Sequence, residues 1–192
     1  MVVDAWTRLG AAMMEHSLEA NRAIFSAFAT EPTQTDQPPG NTAVAFDRDD
    51  WTFDRSVEEA AAITVGDTVT FSKVLDEEDV RVFSSVSGDS SHLHLDAEYA
   101  AETRFGERIV HGTLAAGLIS AALARLPGCT IYLSQDLEFL APVRIGARVS
   151  ATVEVVEALG ADQYRLSTTV VDEETTVLDG EAVVLIDEQP AP

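Results

Sequence analysis

Two short stretches of this chain hold the residue types that move protons. The first is Gly88-Asp89-Ser90-Ser91-His92-Leu93-His94-Leu95-Asp96, and the second is Arg108-Ile109-Val110-His111-Gly112. A carboxylate and an imidazole are the usual pair for proton transfer near neutral pH. Asp89 and His94 lie five positions apart, a spacing that suits a loop rather than one face of a helix. A loop between two helices can aim both side chains at one water molecule. Gly112 opens an apolar stretch, so its N–H has no partner inside the helix that follows and points outward. With no Cβ there, a substrate oxygen can approach closely, and the helix dipole favours negative charge on it. That is an oxyanion hole for a carbonyl that becomes enolate-like. On the residues alone, other roles stay open. A loop Asp caps helices or forms Asx turns more often than it acts as a base, a loop His is more often structural or solvated, and the D-x₄-H spacing is not specific.

The elements that must position these residues follow from periodicity. After a turn at Val65-Gly66-Asp67, Thr68 to Val74 alternates as a strand. Asp76 caps a helix through about Ser85, with Asp79 at the capping-box position. Ser87 to Asp96 reads as a loop, and Asp96 caps a short helix, Ala97 to Glu102. An apolar helix from about Gly112 to Arg125 is stopped by Pro127-Gly128. The surrounding run, Ile109 to Leu126, carries His111, Arg125 and two glycines, and reads as a buried central helix rather than a membrane span. Four strands follow: Thr130 to Leu140, with Ile131, Leu133, Leu137 and Phe139 on one face, then Arg148 to Glu157, about Gln163 to Val171, and about Val177 to Ile186. One strand, then helices, then an antiparallel meander is an α+β pattern whose sheet must wrap the apolar helix. Upstream, residues 4 to about 29 read as an amphipathic helix carrying a solvated His16. Residues 30 to about 42 (TEPTQTDQPPGNT) have linker composition. Residues 43 to 60 receive no element, and Phe46, Trp51 and Phe53 there could drape over the domain. The expected organisation is a 1–60 extension and a 61–188 domain.

Composition narrows the function. Of 192 residues, 33 are acidic and 12 basic, a net charge of −21. Nucleic acid and anionic membrane both require a basic face and are disfavoured as partners. Lys73 is the only lysine, beside eleven arginines. Molar salt shrinks the Debye length to about 3 Å and makes such self-repulsion tolerable, so a halophilic cytosol is expected. Cys129 stands alone, which leaves no intrachain disulfide. The opening MVVDAWTRLG lacks the basic and apolar regions of a secretory signal, and a cytoplasmic location is expected.

The segments SGDSSHLHLD (87–96), FGERIVHGTLAAGLIS (105–120), LPGCTIYLSQDLEFLAPVRIGARV (126–149) and GEAVV (180–184), in that order and spacing, resemble the MaoC-like hydratase family, most of all the short (R)-specific enoyl-CoA hydratases that feed polyhydroxyalkanoate synthesis. The resemblance spans about Val65 to Ile186. It implies a hot dog fold acting as a homodimer with sites near the interface. It implies reversible hydration of trans-2-enoyl-CoA to (R)-3-hydroxyacyl-CoA with no metal or redox cofactor, coenzyme A being part of the substrate. It carries the catalytic Asp and His to Asp89 and His94, the thioester-binding amide to Gly112, a supporting serine to Ser120, and the acyl pocket to Leu123 and Val183. His111 is then a residue that orients the loop. Ser91 and His92 stand where the family usually has Asn and Pro, which predicts a less rigid loop; His92 reads as solvated. The amino-terminal helix is similar in composition to granule-associating helices of phasins, or it packs on its own dimer. A hot-dog acyl-CoA thioesterase and a non-catalytic granule-associated scaffold are the competing functions.

Overall fold

The structure is a computed structural model that describes Arg48 and residues 50–187. The amino-terminal helix with His16, the linker and residue 188, all expected above, lie outside the described residues.

Alternating side chains make the strands, and their inward members make the core. In β2 (Thr68–Val74), Val69, Phe71 and Lys73 turn inward while the threonines and Ser72 turn out. The chain then runs through helices α1 (Glu77–Ser87), α2 (His92–Leu95), α3 (Ala97–Ala101) and α4 (Gly112–Leu123). Strands β3 (Cys129–Phe139), β4 (Arg148–Gly160), β5 (Gln163–Asp172) and β6 (Thr175–Asp187) complete the domain. A short strand β1 (Thr52–Arg55) precedes them all and pairs with β2. The six strands form one antiparallel sheet in the order β1-β2-β4-β5-β6-β3. It curves around α4, which packs on β2, β4 and β5. The wrapped helix is the one expected from the apolar run, and the arrangement is the hot dog fold that the resemblance implies.

Helix α4 explains the curvature. Ala115, Leu118, Ile119, Ala122 and Leu123 are all buried and meet Val69 and Phe71 of β2, Val149 to Val155 of β4, and Leu166 and Val170 of β5 in a single core. No helix among the described residues is long and apolar enough to cross a membrane.

Several expectations shift in detail. The sheet begins before residue 61: β1 lies in the stretch that received no element, and Trp51 beside it packs edge-on against Phe71 at 5.5 Å. Ser87 to Asp96 is not all loop, because His92–Leu95 closes one helical turn. The central helix ends at Leu123, and Arg125 and Leu126 continue as single turns.

The only lysine has a structural post. Lys73 is buried at 8% exposure, and its Nζ donates to Asp79 Oδ1 at 2.6 Å. Asp79 completes the capping box of α1: its other oxygen accepts the Asp76 N–H at 3.0 Å, and Asp76 accepts the Asp79 N–H at 2.9 Å. The pair therefore ties the start of α1 to the sheet. Removing one partner of a nearly buried pair leaves the other desolvated and uncompensated. Lys73→Ala is expected to lower unfolding free energy by about 3 kcal/mol, read by urea denaturation at fixed salt; a change within error would show that Asp79 is adequately solvated alone.

Candidate active site

Asp89 is placed by the end of α1. Gly88 takes the left-handed conformation (φ 79°) that terminates the helix, and its N–H donates to Ser84 O at 2.9 Å. The loop then restrains itself locally. The Asp89 N–H donates to Ser87 Oγ at 3.1 Å, Asp89 Oδ1 accepts the Ser91 N–H at 3.2 Å, and Ser91 Oγ accepts the Leu93 N–H at 3.4 Å to cap α2. The serine expected to loosen this loop thus supplies a cap. His92 is exposed, near Asp96, in keeping with its solvated reading.

His94 lies on α2 and points inward, 8% exposed. Its Nδ1 is 2.8 Å from the carbonyl oxygen of Ile109. A carbonyl only accepts, so Nδ1 carries the hydrogen and Nε2 is left as the basic nitrogen. The 108–112 segment that supplies this carbonyl is strapped on several sides. Arg108 makes a bidentate pair with Glu77 of α1, at 2.9 and 2.8 Å. Ile109 bridges Arg144, and the Val110 N–H donates to Val143 O at 2.8 Å. Arg108 holds the Glu77 carboxyl below its usual pKa, so the strap is charged throughout the neutral range.

His111 caps α4 from below and is 1% exposed. Its Nε2 donates to the backbone carbonyl of Asp89 at 3.1 Å, while its Nδ1 is buried without a partner. The rings of His94 and His111 stack at 3.9 Å with 30° between planes. One donor atom each of Asp89, His94 and His111 lies within 4.8 Å of the other two. Near-parallel rings set their in-plane lone pairs side by side instead of converging on one point, which suits a shared water better than a tetrahedral metal ion.

Gly112 is the first residue of α4, and its N–H has no partner among the described residues. A Cβ there would stand 2.7 Å from the Phe139 ring, so the missing side chain lets that ring close over the helix mouth. His94, Gly112 and Ala115 share a cleft of about 400 Å³ with Phe139, Pro142, Val143, Val177 and Leu178. Arg104 and Phe105 stand on the same wall.

Of the expected residues only His94 and Gly112 line this cleft; Asp89 and His111 stand next to His94 without lining it, and three others lie elsewhere. Leu123 is sealed in the core at the far end of α4, eleven residues from Gly112 and outside the cleft lining. Val183 alternates with the core-facing Ala182 and Val184, so it turns to the opposite face of the sheet. Ser120 is exposed on α4 and also does not line the cleft. The cleft's apolar wall comes instead from the end of β3 and from Val177 and Leu178. Both of these are buried because the β5–β6 register shifts between Val170 and Val171. That bulge puts two consecutive residues inward, and the Val177 carbonyl accepts the Leu140 N–H at 2.9 Å. An alternation pattern carries no signal for such a bulge.

Burial lowers the His111 pKa from its ordinary 6.5; the neighbouring His94 acts in the same direction, while the hydrogen bond to the Asp89 backbone and the Asp89 charge oppose it. The folded ring refuses a proton that the unfolded ring accepts, so stability falls as pH drops through about 6.5. Chemical denaturation of the wild type and His111→Asn between pH 7.5 and 5.5 is expected to show the steeper loss in the wild type, by at most about 1.4 kcal/mol per pH unit. Parallel curves would place the pH dependence elsewhere.

Comparison with known proteins agrees with this construction. Residues 52–178 match the model of the MaoC like domain. The chain is 45% identical over 127 residues to 3-hydroxybutyryl-CoA dehydratase of Methylorubrum extorquens, covering 65% of this chain and 81% of that protein. It is 40% identical to the (R)-specific enoyl-CoA hydratase of Rhodospirillum rubrum, covering 65% and 88%. The unliganded R-hydratase of Pseudomonas aeruginosa superposes with a TM-score of 0.64 at 39% identity, over 72% of this chain and 90% of that one. An apolar helix wrapped by six antiparallel strands, with Asp89, His94 and His111 gathered at its mouth, therefore belongs to the MaoC-like domain family.

Proposed function

We propose that this chain is an (R)-specific enoyl-CoA hydratase, a hydro-lyase that reversibly adds water to trans-2-enoyl-CoA. The observation that carries the reading is His94: its Nδ1 is fixed by the Ile109 carbonyl, it lines an apolar cleft together with Gly112, and a ring nitrogen of it lies within 4.8 Å of an Asp89 carboxylate oxygen. The relatives bearing that activity in their names support it.

In this mechanism one water is held between Asp89 and His94; side-chain atoms within 4.8 Å leave room for a molecule hydrogen-bonded to both. The water oxygen attacks C3 of the enoyl thioester while Nε2 of His94 takes its proton. The electron pair of the C2–C3 double bond moves onto the thioester as an enolate, whose oxygen accepts the Gly112 N–H. The imidazolium then returns a proton to C2, giving the 3-hydroxyacyl thioester and restoring the neutral ring. The Ile109 carbonyl accepts Nδ1–H throughout, which fixes the tautomer and stabilises the transient cation. His111 acts on position alone: it is kept neutral and binds the Asp89 backbone. The chemistry requires no cofactor beyond the coenzyme A of the substrate.

The working form is a cytoplasmic homodimer adapted to high salt. Among the described residues strand β3 ends the sheet with an eleven-residue unpaired edge and exposed Tyr132 and Phe139, a surface that a second copy would cover.

Asp89→Asn and His94→Gln are each expected to lower kcat on crotonyl-CoA by ~10²–10⁴-fold, followed by enoyl absorbance in molar salt. Near wild-type rates in both would end the assignment, and release of free thiol from acyl-CoA would favour a thioesterase instead. Gly112→Pro tests the amide, with Gly112→Ala beside it. Residue 112 is the first position of a helix and His111 already has ψ 130°, so the backbone accepts proline, which removes the N–H; both variants add a Cβ that meets the Phe139 ring, and only alanine keeps the N–H. Phe139 is exposed, so its side chain is the group that must shift in either variant, and the proline variant is expected to lose ~10²–10³-fold in kcat relative to the alanine one. Full activity would remove Gly112 from the mechanism.

A further inference from the structure

A chain of net charge −21 repels a substrate that carries phosphates. High salt screens that repulsion but equally removes long-range attraction, so an anionic ligand must be gripped by direct contact. The described residues offer few cations for this. Nine of the ten described Lys and Arg side chains already meet a carboxylate or a backbone carbonyl. The tenth is Arg104, which has no hydrogen-bond or ion-pair partner among the described residues.

Its position is constructed. Thr103 to Gly106 form a turn in which the Gly106 N–H donates to Thr103 O at 3.2 Å and Gly106 takes φ 71°. The Thr103 hydroxyl anchors that turn to Ala100 O at 2.7 Å and accepts the Phe105 N–H at 3.3 Å. Arg104 and Phe105 are therefore the two central residues of a pinned turn, both exposed, and both on the wall of the cleft that holds His94 and Gly112. The nearby Glu107 is engaged by Arg144 at 2.9 Å and leaves Arg104 uncompensated. His94 is the buried end of this cleft and Arg104 the solvated end.

We propose that Arg104 anchors a phosphate of the thioester's carrier group, with the exposed Phe105 ring as the apolar surface along which the pantetheine arm runs inward. This rests on the hydratase reading above. The guanidinium contributes binding that is equal in ground and transition states, so its loss raises KM and spares kcat. It also selects for thioesters that bear a phosphate over those that do not.

The test uses the full chain in molar salt, with Arg104→Glu and Arg104→Lys beside the wild type. Crotonyl-CoA, crotonyl-4′-phosphopantetheine and crotonyl-pantetheine, which has no phosphate, serve as substrates. Arg104→Glu is expected to raise KM for crotonyl-CoA about tenfold, to leave kcat within about twofold, and to leave crotonyl-pantetheine unaffected; Arg104→Lys is expected to recover most of the loss. A matching KM effect on the phosphopantetheine substrate locates the gripped phosphate next to the arm, where a carrier protein's prosthetic group would also offer it. An effect on crotonyl-CoA alone locates it in the nucleotide. Equal effects with and without phosphate, or no effect on any substrate, would overturn the proposal. Calorimetric titration with free CoA reads the same contact without turnover. Wild-type protein that binds CoA but hydrates nothing would sink the hydratase reading and not this one, whereas undiminished CoA affinity in Arg104→Glu would sink this one alone.

Discussion

One face of the helix Gly112–Leu123, carrying Ala115, Leu118, Ile119, Ala122 and Leu123, has to be kept from water, and a single flat sheet cannot do it. The sheet bends around them, and the buried valines of β4 with Val69, Phe71, Leu166 and Val170 fill the concave side. Burial of the helix body confines its reactive feature to one place. Intrahelical bonds satisfy the amides further along, while at Gly112 the first N–H emerges next to the cleft. The loop and helical turn that carry Asp89 and His94, the strapped 108–112 segment and the Phe139 wall are all arranged around that mouth.

Polar contacts link the mouth back to the sheet in an unbroken series. Lys73 on β2 holds Asp79, Asp79 caps α1, Glu77 on α1 clamps Arg108, and the segment after Arg108 presents the Ile109 carbonyl to His94. His111 closes the circuit by binding the Asp89 backbone. In a protein so rich in acid, most described cations are committed to such positional work. That distribution gives a cation without a partner its meaning, because Arg104 does not serve the scaffold.

The same acidity divides surface from site. Exposed carboxylates lie over the outer face, yet the cleft beside His94 is walled largely by apolar and aromatic side chains. An imidazole that lines such a cleft, with its Nδ1 fixed by a carbonyl, has its tautomer determined before substrate arrives. Stacking on His111 adds rigidity and places a second, neutral ring where a charged one would raise the energy of a protonated His94.

Local structure was readable in the chain itself: the capping box at Asp76 and Asp79, the Asp96 cap, the strand alternation and the apolar helix. Each depends on neighbours within a few positions, so spacing carries it, whereas spacing alone left the roles of Asp89, His94 and Gly112 open and only the family resemblance singled them out. The departures all depend on distant partners. β1 is four residues whose strand state comes from pairing with β2. The inward turn of both Val177 and Leu178 comes from a register shift against β5. Leu123 and Val183 fall outside the cleft because packing, not residue type, decides which apolar side chains border a cavity and which fill the core. Which nitrogen of His94 is free was equally out of reach, since it is decided by a carbonyl fifteen residues away. Composition and spacing determined which groups could react; the long-range pairing of strands and the closing of the sheet on its helix decided where they point, because only a folded chain brings partners from remote positions within hydrogen-bonding distance.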